Sequence, residues 1–201
     1  MFVLTVDQIG SRASRDAVPS LREADGAEDA VLAFERTAGD EAQALFAEAR
    51  PALLCALGLV ETGRWHCGIG QGIVEGPLPS HAREGRGTAY VNARAAVEAA
   101  KKPGAHHVGF VADAPTGAGI QAALRVIAAL RAKQRDTTRE AYDLALRGGT
   151  QARIAEQLGI SQQAVSDRLA SGMYRELEDL KTEAIRWADV LDRAQAPEEE
   201  G

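Results

Sequence analysis

The stretch Thr150–Leu169, TQARIAEQLGISQQAVSDRL, constrains the fold more than any other part of the chain. Ile154, Leu158, Ile160, Val165 and Leu169 are apolar at the spacings that press two short helices together. Ala155 supplies a small residue where the helices cross. Gly159 supplies the positive φ that a tight interhelical turn needs. Ser161 is a good N-cap for the second helix. The stretch is predicted to be a helix-turn-helix. The outer face of its second helix then carries Gln162, Gln163, Ser166 and Asp167, side chains able to read base edges in a major groove. The plainer reading is a helical hairpin used for packing or dimerisation.

At 201 residues the chain has room for one large domain or two modest ones. No apolar run reaches the length of a membrane span, and FVLTVDQ lacks the basic flank and cleavage site of a signal peptide. A cytoplasmic protein without membrane contact is expected. Cys55 and Cys67 match no metal-ligand spacing and read as buried free thiols. His66, His81, His106 and His107 form no recognisable ligand pattern. The net charge of −6 argues against indiscriminate nucleic-acid binding, but the charge is uneven. Arg125 to Arg175 holds nine basic residues against five acidic ones, a local +4 that leaves −10 on the remainder. A basic surface around the helix-turn-helix suits phosphate contacts, and a solvated helical surface is the alternative.

Phe2 to Ile9 reads as a buried strand ending in the turn Gly10-Ser11, with Asp7 near its end. A carboxylate there needs partners: a metal ion is one, and turn backbone N–H groups are another. A short helix is expected within Ser14 to Ala24. Ala30 to Ala47 reads as two strands around Gly39-Asp40-Glu41, with helix as the alternative. Pro51 starts an apolar helix from Arg50 to Thr62. In Arg64 to Glu75, Gly68, Gly70 and Gly72 alternate, leaving one strand face bare for a backbone or a ligand to approach. Thr88 to Lys102 is an alanine-rich helix ended by Pro103-Gly104. His106 to Ala112 is a last strand. The order suggests an α+β sandwich, with helices on one face of a mainly antiparallel sheet.

Four blocks in order, TVDQIGSR (5–12), AGDEAQALF (38–46), HCGIGQGIVEG (66–76) and GTAYVNARAAVEAAKK (87–102), resemble the SatD family of bacterial proteins over about residues 2 to 112. More remotely they are similar to the palm of class III nucleotidyl cyclases and GGDEF proteins. The resemblance implies a ferredoxin-like palm in which Asp7 and Asp40 would hold Mg2+ with a nucleoside triphosphate, Glu41 standing beside the second. Paired carboxylates suit two-metal phosphoryl chemistry. By the same resemblance the backbone of Gln8, Ile9, Gly10 and Ser11 would meet phosphates, and Asn92 and Arg94 would stabilise the transferring group. The chain departs from the pattern at Val6, where a glycine is usual, and at Ala42, where an aromatic is usual. Asn92 and Arg94 are spaced one residue short.

Asp113 to Gly119, DAPTGAG, reads as a linker. It divides a palm domain, 1–113, from an all-α helix-turn-helix domain, 120–195. Ile120 to Arg135 is a helix. Thr138 to Leu146 is the first of three, with Tyr142 and Leu146 as core contacts. Met173 to Arg193 is a long amphipathic helix carrying Tyr174, Leu177, Leu180, Ala184, Trp187, Val190 and Leu191. It is expected to pack back on the palm or to form a homodimer seam. Ala196 to Gly201 is an acidic tail. The reading reached is a regulator of double-stranded DNA with a nucleotide-sensing or dimerising palm. Gln162, Gln163 and Ser166 are expected to contact bases, with Ser161 also in the DNA-binding set, and Arg153, Arg168 and Arg175 to contact phosphates if they face the same side. A metal-dependent nucleotidyl cyclase or transferase is the alternative.

Overall fold

The computed structural model describes residues 1–195; the expected acidic tail lies outside them. The strands are β1 (Phe2–Gln8), β2 (Leu32–Ala38), β3 (Glu41–Phe46), β4 (Trp65–Gln71) and β5 (Val108–Val111). The helices are α1 (Ala49–Glu61), α2 (Thr88–Ala100), α3 (Thr116–Lys133), α4 (Asp136–Leu146), α5 (Gln151–Leu158), α6 (Gln162–Ser171) and α7 (Tyr174–Gln195). The fold is α+β: a five-stranded sheet followed by helices. The sheet runs β2-β3-β1-β4-β5. Its first four strands are antiparallel neighbours in the ferredoxin-like order, and β5 joins β4 in parallel. The expected hairpin turns at Gly39-Asp40, Gly39 taking φ 58°.

Helices cover both faces of the sheet, where one covered face was expected. Phe2, Leu4, Val6, Cys67 and Ile69 point to the α1 side and share its apolar cluster. Val3 points the other way, toward Ala89 and Ala93 of α2. The cause is the row of glycines. A Cβ on Gly68 or Gly70 would stand 2.0 or 2.1 Å from the α2 backbone, and one on Gly109 of β5 would stand 2.0 Å from it. The bare face is where α2 sits directly on the sheet. The crossovers through α1 and α2 step the same way across the sheet yet lie on opposite faces. They therefore have opposite hands, and one departs from the usual right-handed sense.

The segment expected as a linker is largely helix. Only 112–115 separate β5 from α3, because Pro115 can open a helix and Gly117 fits against Ala112. The Gln121 side chain then closes the outer edge of β5: its Oε1 accepts from the Phe110 N–H, and its Nε2 donates to the Val108 carbonyl at 3.2 Å. Ile120, Leu124, Ile127 and Ala128 of α3 belong to the sheet's own core. So do Leu177, Ala184, Ile185, Ala188 and Leu191 of α7. The division at 113–120 therefore falls elsewhere: α3 and α7 are part of the sheet body, and α4 to α6 are held between them. Of the two roles expected for the apolar stripe of α7, packing back on the sheet domain or forming a dimer seam, the first is what its buried residues do, while Trp187 and Val190 stay exposed.

The inserted trihelical unit has a small core of Ala141, Ile154, Ala155, Val165 and Leu169, with Leu158 and Ile160 packed beside it. Gly159 takes φ 64° at the turn, and Ser161 Oγ accepts from the Ala164 N–H at 3.1 Å. Tyr142 is buried as expected. Leu146 is 45% exposed, because the turn at Gly148-Gly149 lifts the end of α4 away from the core.

Candidate nucleic-acid interface and palm-like acidic site

Core packing of Val165 and Leu169 sets the rotation of α6. At 3.6 residues per turn the opposite side carries Gln163 and Asp167, both exposed, with Ser166 half-buried at its margin; Gln162, on the core side of the helix, is exposed because it opens the first turn. Gln163 Nε2 donates to Asp167 Oδ1 at 2.9 Å, so these two present a joined amide and carboxylate. Ser161 is committed to capping the helix, its Oγ accepting from the Ala164 N–H.

The three expected phosphate arginines are not gathered on one side. Arg175, exposed at the start of α7, lines a cleft of about 490 Å³ with Gln151 and Ser166. Arg168 lines a second cleft, of about 610 Å³, with Lys133, Arg135 and Asp167. Arg153 is exposed on α5. On α6 the first cleft takes Ser166 and Ala170 and the second takes Arg168 and Ser171, on opposite sides of the helix. A helix seated in a major groove has a phosphate strand on each side, and two flanking clefts match that geometry.

Of the nine basic residues from Arg125 to Arg175, Arg131 alone is ion-paired among the described residues, with Glu61 at 2.7 Å and Asp143 at 2.6 Å. Arg131 is buried, stacks over Tyr142 at 4.0 Å, and donates to Gln134 Oε1 at 2.6 Å. Tyr142 in turn donates to Glu178 of α7 at 2.7 Å. This network joins α4 to the sheet body. The other eight form no ion pair among the described residues.

The palm-like site lies at the far end of β1, where Asp7 stands level with Glu41 on β3 and His66 on β4. Its acidic groups already hold cations and donors. Lys101, just past α2, places Nζ 3.3 Å from Asp7 Oδ1 and 3.0 Å from Glu98. Arg94 pairs with the buried Glu41, which also accepts from Thr37 Oγ1 at 2.7 Å. The Ser11 side chain bonds the Asp40 carboxylate and holds its pKa below the ordinary value, with Lys101 and Arg12 adding to the effect. His66 faces His107 at 3.1 Å between Nδ1 atoms, and burial lowers its pKa.

The residues implied by the palm resemblance thus part company. Asn92 is buried and turned away from Arg94, donating to the Gln71 carbonyl at 2.9 Å and to Asp113 at 3.2 Å. The N–H groups of Gln8 and Ile9 are used, by the Asp40 and Arg64 carbonyls. The Gln8 side chain pins the following loop, donating to Ser14 and Arg15 and accepting from the Ala17 N–H, each at 2.8 Å. The donor set does not fit a divalent metal: an ammonium occupies the Asp7 carboxylate, and among the described residues no group of three or more His, Cys, Asp and Glu side chains is arranged to hold one. Lys101 is the residue sequence reasoning passed over; its signal is the Lys-Lys pair ending α2. Cys55 and Cys67 are buried free thiols, Cys55 pushed up to about 12 by burial.

No protein-family model, curated protein or solved structure matches the chain. Fold and site together describe a helix-turn-helix unit held between two helices of an α+β sheet body. No helix among the described residues is long and apolar enough to cross a membrane.

Proposed function

We propose that the protein is a sequence-specific binder of double-stranded DNA and a transcriptional regulator. The observation that carries this is the α6 surface: exposed polar side chains flanked by two clefts lined by Lys133, Arg135, Arg168 and Arg175, none ion-paired among the described residues. Gln162, Gln163 and Ser166 supply base contacts, and Arg153, Arg168 and Arg175 phosphate contacts. Phosphate contacts set register and salt sensitivity, and base contacts set sequence. The sheet body, with its resemblance to the SatD family and the cyclase palm, is the scaffold that orients this unit. Its internally paired charges favour that role over catalysis. Binding as a homodimer on paired half-sites belongs to the same proposal, with a seam other than the buried stripe of α7.

The test is selection of fragmented genomic DNA on the purified protein, beside a Gln162→Ala/Gln163→Ala variant. A shared site enriched by the wild type and lost in the variant is the expected result. Absence of enrichment together with absence of salt-sensitive binding would overturn the proposal.

A further inference from the structure

We propose that the corner between α3 and α4 is a second phosphate-contact surface for the same duplex, an inference that rests on the DNA-binding reading. The corner forms one wall of the 610 Å³ cleft, and α6 forms the other. Lys133, Arg135 and Arg168 line it, and none is ion-paired among the described residues. The one acidic side chain lining it, Asp167, is bonded to Gln163. The cleft is thereby continuous with the base-reading face. Thr137 lines it as well, and the Ser171 hydroxyl is held by donating to the Arg168 carbonyl at 2.9 Å. Arg168 spans the cleft only weakly, donating to the Thr137 carbonyl at 3.4 Å.

A useful phosphate clamp must be held at a fixed distance from the reading helix, and this corner is. Gln134, between the two exposed cations, donates to the Gly172 carbonyl at the end of α6 at 2.7 Å. Its Oε1 accepts from the buried Arg131. A Cβ on Gly172 would stand 2.7 Å from Thr138, so the α6 end and the start of α4 are in close contact. Lys133 and Arg135 therefore project from a backbone locked to both the reading helix and the sheet body. Because α3 belongs to the body's core, the duplex would touch the body itself as well as the inserted unit.

The experiment measures affinity for a selected site, or for mixed genomic fragments, across 50 to 200 mM salt. Wild type, Lys133→Ala/Arg135→Ala, and Arg125→Ala are compared, with folding checked by thermal melts. Each lost phosphate contact removes about 0.9 from the slope of log K against log salt. The double variant is expected to lose about 1.8, making the drop in affinity across this range about 12-fold smaller, while sequence preference is kept. Arg125→Ala, an exposed cation of α3 outside the cleft, is expected to match the wild type. An unchanged slope in the double variant, or an equal loss in Arg125→Ala, overturns this surface and leaves the DNA-binding proposal standing. Failure of the wild type to bind DNA with salt dependence overturns both.

Discussion

The sheet body and the inserted helical unit differ in where their ion pairs fall. In the body, Asp7 meets Lys101, Glu41 meets Arg94, Asp16 meets Arg36, and Glu61 meets Arg131. From Asp136 to Ser171 the four arginines, Arg139, Arg147, Arg153 and Arg168, form no ion pair among the described residues, and Asp143 is the one carboxylate paired there, with Arg131 of α3. The exposed pair of Asp16 with Arg36 is worth little to stability, whereas Glu41 and Arg131 are buried and would be costly to leave unpaired. The body's pairing neutralises a surface that would otherwise attract cations. The unpaired set is a field directed outward, strongest where an anionic polymer can touch several charges together. The two regions also differ in how they are packed: the body buries a large core around a backbone-to-backbone contact, and the unit depends on five small to medium side chains.

The packing difference is broken most sharply at Gly70. Gly70→Val would drive a side chain into the α2 backbone and destabilise the protein by about 4 kcal/mol or more. Urea unfolding followed by the buried Trp65 checks it; near-native stability would disprove the contact between α2 and the sheet. Ile154→Ala should cost about 2 to 4 kcal/mol, felt first in the inserted unit. Hydrogen exchange is expected to lose protection in α4 to α6 before β1 and β4, and uniform loss would mean that body and unit unfold as one. Ser161→Ala should cost about 1 kcal/mol by removing the α6 cap, with weaker DNA binding in the same fluorescence and retardation measurements.

The charge difference can be sharpened with smaller effects. Lys101→Ala should leave stability within about 1 kcal/mol of wild type but expose Asp7 to solution cations. Mn2+ should then broaden the resonances of residues 7 and 40 in the variant and not in the wild type; equal broadening in both would show that Lys101 does not block the site. Asp40 contributes least. Its pKa is lowered in the folded state, chiefly by Ser11. The stabilisation is therefore present above about pH 4 and is lost as pH falls below it. Asp40→Asn should flatten that part of the urea midpoint between pH 5 and pH 3 slightly, and an unaltered profile would contradict it.

Much of this was legible in the chain because it depends on neighbours in sequence. Helical periodicity, the Gly159 turn and the Ser161 cap define α5 and α6 within a stretch of twenty residues, and the folded unit keeps each of them. The Gly39-Asp40 hairpin and the bare glycine face of β4 were likewise readable, since turn chemistry and strand alternation are local. What decided the rest was contact between distant segments. An apolar stripe announces that a helix is buried but not against what, so α3 and α7 were assigned to the wrong side of the domain boundary. Asn92 and Arg94, two residues apart on α2, diverge because one faces the end of β4 and the other faces Glu41. The Asp7 carboxylate is open to metal or to lysine as far as spacing can say; the end of α2 brings Lys101 there. The sequence by itself determined α6, its cap and its polar residues. Only the tertiary structure decided which charges were already paired and which were not, because ion pairing is a property of distance in space.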